Sequence, residues 1–349
     1  MARPPLRVLV IYDLPEPVSE HDDPRYLIDH DDRPTERDVV RAIKRLGFEL
    51  HIHGVFNDMP GLISKILSLK PDVIFNLCET YRGSRSYEGD IASLLELSGV
   101  PYTGSRPAAL HLCKDKGTTK KIAGWDNIRV PAFKMFSRDD FKFEPFVANF
   151  PLIVKPLDRE ASEGISKASI VHDWTDCEDR AAWVAHKLKS DVIVEEFIHG
   201  REVYIGVINR NGIVETLPPR ELFFDNLEKD EPMIATYKAK WDDNYRARWG
   251  ISTSRAASLS KTQLEMLSSQ SLKIFKSLGL RGYARIDWRL TTEGLPVFLE
   301  ANPNPALSHD DDFAKAAKSS GIQYQELISD IIAASLAEQQ LTSSSKQAG

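Results

Sequence analysis

Tyr283-Ala-Arg-Ile-Asp-Trp-Arg-Leu290 and Pro296-Val-Phe-Leu-Glu-Ala-Asn302, separated by Thr291-Thr-Glu-Gly-Leu295, decide how this chain is read. Successive side chains of a strand point to opposite faces, so Arg285 and Asp287 share one face, and Glu300 and Asn302 share one face of the next segment. The Gly-containing stretch between them reads as a turn, which sets Asp287 opposite Glu300 in an antiparallel hairpin. The other faces, Ala284/Ile286/Trp288 and Val297/Leu299/Ala301, are apolar and are expected to pack on a core. Two carboxylates and a carboxamide beside one fixed cation, on a rigid hairpin, suit Mg²⁺ held between protein and nucleotide phosphates. The plainer reading is a solvated charged face. It fits less well, because the short carboxamide of Asn302 adds a ligand and little to strand stability.

Outside the hairpin, size and composition narrow the choices. The 349 residues suffice for two or three domains with a substantial core. A formal charge of −6 argues against a nucleic-acid surface, which needs a basic stripe. Cys78, Cys113 and Cys177 are far apart, without metal-ligand spacing or a disulfide framework, and read as thiols of a reducing compartment. The apolar run Leu6–Ile11 is too short for a signal peptide or membrane span, so a soluble cytoplasmic protein is expected. Residues 339–349 are polar and are expected to form a frayed tail.

The first hundred residues alternate strand and helix. Strands are expected at Arg7–Tyr12, Phe48–Val55 and Asp72–Leu77, with helices near Thr35–Leu46, Gly61–Leu69 and Glu88–Leu97. This alternation predicts a doubly wound parallel sheet with its ligand edge at Tyr12-Asp13 and Asn76–Glu79. The intervening Asp13–Pro34 is rich in Asp, His and Pro, and reads as a solvated acidic loop or lid rather than a metal cluster. Further on come a Lys-rich helix over Leu112–Ala123, a strand at Pro151–Pro156, a polar loop at Asp158–Ser166 and a helix at Cys177–Leu188. A strand at Asp191–Glu195 and another at Arg201–Asn209 precede a long loop region. Helices at Leu264–Leu278 and Gln323–Leu336 flank the hairpin. The class is α/β, with α+β character in the C-terminal part.

Two further motifs carry chemistry. Lys155 ends an apolar strand and is followed by a Gly-containing polar loop, a way of gripping phosphates with a point charge and backbone N–H groups. A Lys before Pro is also common at plain strand ends. Glu195 and Glu196 close a buried strand and Glu202 opens the next. Such a segment meets an adenine edge and ribose hydroxyls, although solvated strand ends look the same.

Taken in order, Leu112-Cys-Lys-Asp-Lys116-Gly-Thr-Thr-Lys120, Pro151-Leu-Ile-Val-Lys155-Pro156, Glu195-Glu196-Phe-Ile-His-Gly-Arg-Glu202, Arg285-Ile-Asp287 and Glu300-Ala-Asn302-Pro resemble the ATP-grasp superfamily. Within it, the chain is most similar to D-alanine–D-alanine ligases. Asn76-Leu-Cys-Glu79, Glu88–Glu96 and Gly99–Ser105 also look like the N-terminal domain of those ligases. The resemblance implies an N-terminal Rossmann-like substrate domain over 1–104, a central ATP-grasp subdomain over 105–196 and a catalytic subdomain over 197–338. It implies that Lys116, Lys155, Ser162 and Lys240 contact ATP phosphates or their covering loop. Glu195, Glu196 and Ile198 would hold adenine, and Glu202 the ribose. Asp287, Glu300 and Asn302 would hold two Mg²⁺ ions, with Mn²⁺ as an alternative. Arg285 and Lys240 would stabilise charge on the transferring phosphoryl group. The resemblance also implies small amino-acid or peptide substrates and a homodimer.

The activity so implied is an ATP-dependent carboxylate–amine ligase working through an acylphosphate. The departures from the family pattern gather where substrates would sit. The Ser-rich loop keeps only Ser162, the Tyr after the phosphate Lys is Trp241, and the acid after the first strand has only Glu36 as a candidate. Glu79, Trp241, Ser308 and Asp311 are candidate substrate residues. Asp310–Asp312 replace a carboxylate-binding Ser and would suit an amine or guanidinium instead. They equally suit the N-terminus of a helix over Phe313–Ser319, and both readings stand. An authentic D-alanine–D-alanine ligase and a non-catalytic ATP-binding module are the alternatives.

Overall fold

The computed structural model describes residues 4–17, 28, 33–159, 162–226, 234 and 242–347. Strands β1 (Arg7–Asp13), β2 (Glu49–Val55) and β3 (Val73–Leu77) form a parallel sheet in the order β2-β1-β3. Val8, Val10 and Tyr12 face one core while Leu9 and Ile11 face another. A strand covered on both faces reads as a continuous apolar run, as β1 does. Helices Met59–Leu69 and Glu88–Ser98 cover the Leu9 side, and Pro34–Arg45 covers the other. Of the Asp/His/Pro-rich stretch, only Ile28 among 18–32 is described, and it is buried in the core beside Pro34–Arg45.

The second sheet is antiparallel, ordered β4-β7-β5-β6, from β4 (Phe133–Phe136), β5 (Leu152–Pro156), β6 (Ile170–Val171) and β7 (Val192–Glu196). Helix Trp174–Lys187 packs against it. The third sheet runs β11-β10-β8-β12-β13, with β9 on β8. Its strands are β8 (Arg201–Arg210), β9 (Ile213–Thr216), β10 (Arg220–Phe224), β11 (Ile251–Arg255), β12 (Tyr283–Leu290) and β13 (Pro296–Pro303). The stretch expected to be a long loop therefore holds β9, β10, β11 and the short helix Asp243–Trp249. These strands are short and carry charge, so periodicity alone does not expose them.

The expected hairpin is present, with Asp287 paired to Glu300. A register shift follows, because Trp288 pairs with Phe298 and Leu299 is left over as a bulge. Phe298 rather than Leu299 therefore enters the core with Ala284, Ile286, Trp288 and Ala301.

Two other expectations are corrected. The Lys-rich helix is two helices, Pro107–Lys114 and Lys116–Trp125. They break at Asp115, whose extended backbone frees its carboxylate to accept from the Thr118 N–H at 2.8 Å and the Thr118 hydroxyl at 2.6 Å. Both helices pack on the third sheet through Ala109, Cys113 and Ala123. The frayed end is instead helical, since Tyr324–Gln347 runs on through a stretch with neither Pro nor Gly to break it. Its Ile328, Ile331 and Ile332 join the core of β1, where Phe313 also packs. Among the described residues, no helix is long and apolar enough to cross a membrane.

Replacing Asp115 by Ala removes the cap that starts Lys116–Trp125 and should cost about 1 kcal/mol in urea unfolding. An unchanged midpoint would mean that the cap is dispensable.

Candidate active site

Between the second and third sheets lies a solvent-open cleft of about 740 Å³. Lys116, Lys155, Ser162, Glu195, Glu196, Ile198 and Glu202 all line it, so seven of the eight residues expected to hold a nucleotide meet at one place. The eighth, Lys240, lies outside the described residues, as does Trp241. Ile153, Phe197 and Ile234 pack together as an apolar wall, suited to a flat base. Glu300 and Arg289 also line the cleft.

The acids of the cleft do not all point into it. Glu196 accepts from the Asn149 N–H at 2.7 Å and side-chain amide at 3.0 Å, which directs its carboxylate away and leaves backbone at the cleft. Glu195 is 1 % exposed and lies 2.9 Å from Lys155 Nζ and 3.0 Å from Lys120 Nζ. The Lys120 contact is an ion pair by distance whose alignment falls short of a hydrogen bond. Burial would raise the Glu195 carboxyl, but Lys120 and Lys155 outweigh it and hold the carboxyl below its ordinary range. Burial pushes the Lys120 ammonium down, against the pull of Glu195. Lys116 Nζ donates to the Arg159 carbonyl at 2.5 Å and stands 4.0 Å from Glu300 Oε2.

Beside the cleft, one face of β8 and β12 is polar, and its Glu202 and Arg289 line the cleft. Arg285, Asp287 and Arg289 lie directly across from Gly206, Tyr204 and Glu202. Arg285 grips Asp287 through Nε at 2.8 Å and Nη2 at 2.9 Å, and its guanidinium lies over the Tyr204 ring. Against the cost of burial, Asp287 raises the Arg285 pKa still further, so the cation is permanent. Glu202 accepts from Arg289 Nη2 and from the Tyr204 hydroxyl, each at 2.9 Å. Arg289 also donates to the Gly200 carbonyl, where the chain comes so close to β12 that a Cβ would lie 1.8 Å from the Leu290 oxygen. Only glycine fits there.

Among the described residues, no group of three His, Cys, Asp or Glu side chains could hold a metal. The candidate set is Asp287, Glu300 and Asn302, two carboxylates and a carboxamide. Asp287 pairs across the ladder with Glu300 and accepts from the Asn302 amide at 3.0 Å. These are hard oxygen donors, and Mg²⁺ commonly takes one or two protein carboxylates with substrate phosphates completing its shell, so the residues fit that ion. Mn²⁺ accepts the same donors.

A second cleft of about 670 Å³ opens where β1 and β3 end, the edge expected from the parallel sheet. Asp13, Arg33, Glu36, Asn76, Glu79 and Glu88 line it together with Asn304 from the exit of β13. Glu36 pairs with Arg33 at 3.2 Å, and burial raises its pKa. Glu79 pairs with Arg85 at 2.7 Å. Asn304 Oδ1 accepts from the Ser105 N–H at 2.7 Å, which ties the end of the β12–β13 hairpin to the Gly104–Ser105 segment. β13 thus runs from one cleft, at Glu300, toward the other, which Asn304 lines just beyond its end.

Asp311 stands at the N-cap of helix Asp312–Ser319 but its side chain caps nothing. It turns back to accept from the Ser308 N–H at 2.9 Å and hydroxyl at 2.7 Å, and burial raises its pKa. Asp312 pairs with Arg220 and Asp310 with Lys315. Lys120 and Arg289 were missed in the sequence, although simple spacing marks both. Lys120 is one helical turn from Lys116, and Arg289 continues the alternation of Arg285 and Asp287.

The family model for the D-ala D-ala ligase C-terminus matches residues 123–333. A D-alanine–D-alanine ligase of Aquifex aeolicus is 30% identical over 85% of this chain and 93% of its own length. One from Cupriavidus pinatubonensis is 31% identical over 85% of this chain and 84% of its own. An uncharacterized protein of Sinorhizobium fredii is 30% identical over 74% of this chain and 73% of its own. The structure of a Bacillus anthracis D-alanine–D-alanine ligase complexed with ATP superposes with a TM-score of 0.72 at 22% identity, covering 97% of this chain and 99% of that one.

Because Glu195 titrates below its unfolded value, its stabilisation is present above about pH 4.3 and is lost as pH falls through the folded value. The melting temperature should fall as pH drops from about 5 to about 3, and less steeply in Glu195→Gln. Equal slopes would mean that Glu195 is not ionised in the fold.

Proposed function

The chain belongs to the D-alanine–D-alanine ligase family of ATP-grasp ligases, and from that premise we propose that it activates a carboxylate with ATP as an acylphosphate and transfers it to an amine. The observation that carries this reading is the position of the β12–β13 face. It joins a cleft with an apolar wall and lysines to a second cleft rich in carboxylates.

In this reading Lys116 and Lys155 hold the ATP phosphates, and Ile153, Phe197 and Ile198 flank the base. Ser162 sits in the covering loop, and Glu202, already held by Arg289 and Tyr204, takes the ribose hydroxyls. Asp287, Glu300 and Asn302 would hold Mg²⁺, which when bound screens the phosphate charge during transfer. The substrate carboxylate oxygen attacks the γ-phosphorus and ADP leaves. The free amine then attacks the acyl carbon, phosphate leaves, and the amine loses a proton. The two Arg285 nitrogens that grip Asp287 leave Nη1 for the charge that builds on the transferring group and on the tetrahedral intermediate. Closure over the cleft protects the acylphosphate from water.

We assign the acceptor side to the Ser308–Asp311 turn. Asp311 holds its carboxylate on Ser308 rather than on the helix end, within the field of Arg285. A carboxylate there repels an acceptor carboxylate and favours an amine or guanidinium. A second reading, an authentic D-alanine–D-alanine ligase, is favoured by the names of the Aquifex and Cupriavidus relatives. Phosphate release with D-alanine as the sole amino acid, giving dipeptide in equal amount, selects the second reading. Release that requires a different amine selects the first.

Glu300→Ala should lower turnover by about 10²-fold or more with the melting temperature nearly unchanged. Asp311→Ser should change the order of acceptor preference and leave the KM for ATP unchanged. A variant that only melts earlier would sink the acceptor assignment.

A further inference from the structure

Lys116 and Lys120 stand one turn apart on a single helix, yet they meet different surroundings. Lys116 reaches the nucleotide cleft. Lys120 is 1 % exposed and its ammonium is wholly enclosed by protein. It donates to the Leu299 carbonyl at 2.5 Å, at the bulge of β13 beside Glu300, and pairs with Glu195 at 3.0 Å. The other oxygen of Glu195 receives Lys155 at 2.9 Å. One buried carboxylate is thus shared by two lysines from different elements, only one of which lines the cleft.

We propose that Lys120 is a positioning residue for ATP binding: by sharing Glu195 it keeps the charge of Lys155 available to the nucleotide phosphates. The inference rests on the nucleotide reading of this cleft. The charge balance is direct. Lys120, Glu195 and Lys155 together carry one net positive charge at the cleft wall. Without Lys120, Glu195 and Lys155 cancel, and a lysine engaged by a buried carboxylate is drawn from the phosphates. The bond to Leu299 adds a geometric role, since it pins the bulge next to Glu300 to the same ammonium.

The test compares binding of ATP with binding of adenosine, by calorimetry on the full chain. Lys120→Met should weaken ATP by about tenfold or more, the scale of one charged hydrogen bond, while leaving adenosine unchanged. A collapsed cleft weakens both ligands. The double variant Lys120→Met/Glu195→Gln restores the net charge and leaves no buried charge unpaired, so its ATP-to-adenosine preference should return to near the wild-type value. ATP binding by Lys120→Met equal to wild type would overturn the proposal. So would parallel loss of both ligands, or failure of the double variant to recover the preference. Should Lys120→Met not fold, the double variant decides alone: retained preference supports the charge balance, and a tenfold loss refutes it. A wild type that binds adenosine no more weakly than ATP would instead retire the nucleotide–phosphate reading itself.

Discussion

The structure depends on a central strand that carries three charges on one face. β12 lies between β8 and β13, and Arg285, Asp287 and Arg289 share one of its faces, with Arg289 reaching the nucleotide cleft. Removing each ion from water costs several kcal/mol, so the strand is tolerable only if each charge meets an opposite one in good geometry. Arg285 takes Asp287 along the strand, and Arg289 takes Glu202 across it. The opposite face of the strand supplies what the polar face cannot. Trp288 is enclosed, with its indole N–H donating to Ser271, and Ile286 and Ala284 pack beside it. Burial on one side thus holds the polar groups of the other in place.

The same logic joins the units of the chain. The first sheet and the C-terminal helix share a core, while Asn304 and Arg281 bond to the Gly104–Ser105 segment. The second sheet meets the third through Lys120, Glu195 and the Leu299 carbonyl. Polar contacts of this kind fix orientation more than they add stability, because each charge has already lost its water. They suit a site whose parts come from distant stretches of chain.

Much of this was legible in the sequence, and the reasons differ by residue. The pairing of Asp287 with Glu300 follows from a period of two and a turn of known length. The parallel sheet follows from apolar runs such as Val8–Tyr12, which need cover on both faces. The bulge at Leu299 was not legible, because it arises where one strand gains a residue against its partner, a property of the pair rather than of either strand. The break at Asp115 was hidden because helical residues precede and follow it without a Pro, although Asp is among the preferred N-cap residues. Lys120 looks like a solvated helix charge until its partners on β7 and β13 are in view. The members of the Asp310–Asp312 run also separate only in three dimensions, Asp312 going to Arg220 and Asp311 to Ser308.

The bulge has a consequence for how this hairpin tolerates change in length. Leu299 is an additional residue that lets Phe298 enter the core while Glu300 and Asn302 remain on the polar face. Deleting it would straighten the ladder and leave Phe298 and Glu300 as neighbours on opposite faces, whereas a deletion at any other position of β13 would turn one part of the strand by a full side-chain alternation. Loss of Leu299 itself is therefore judged by the carbonyl it takes from Lys120, and a single-residue change elsewhere in the strand is judged by parity. The hairpin therefore counts its residues odd or even everywhere except at the bulge, which is the one position where β13 sheds a residue without turning its faces.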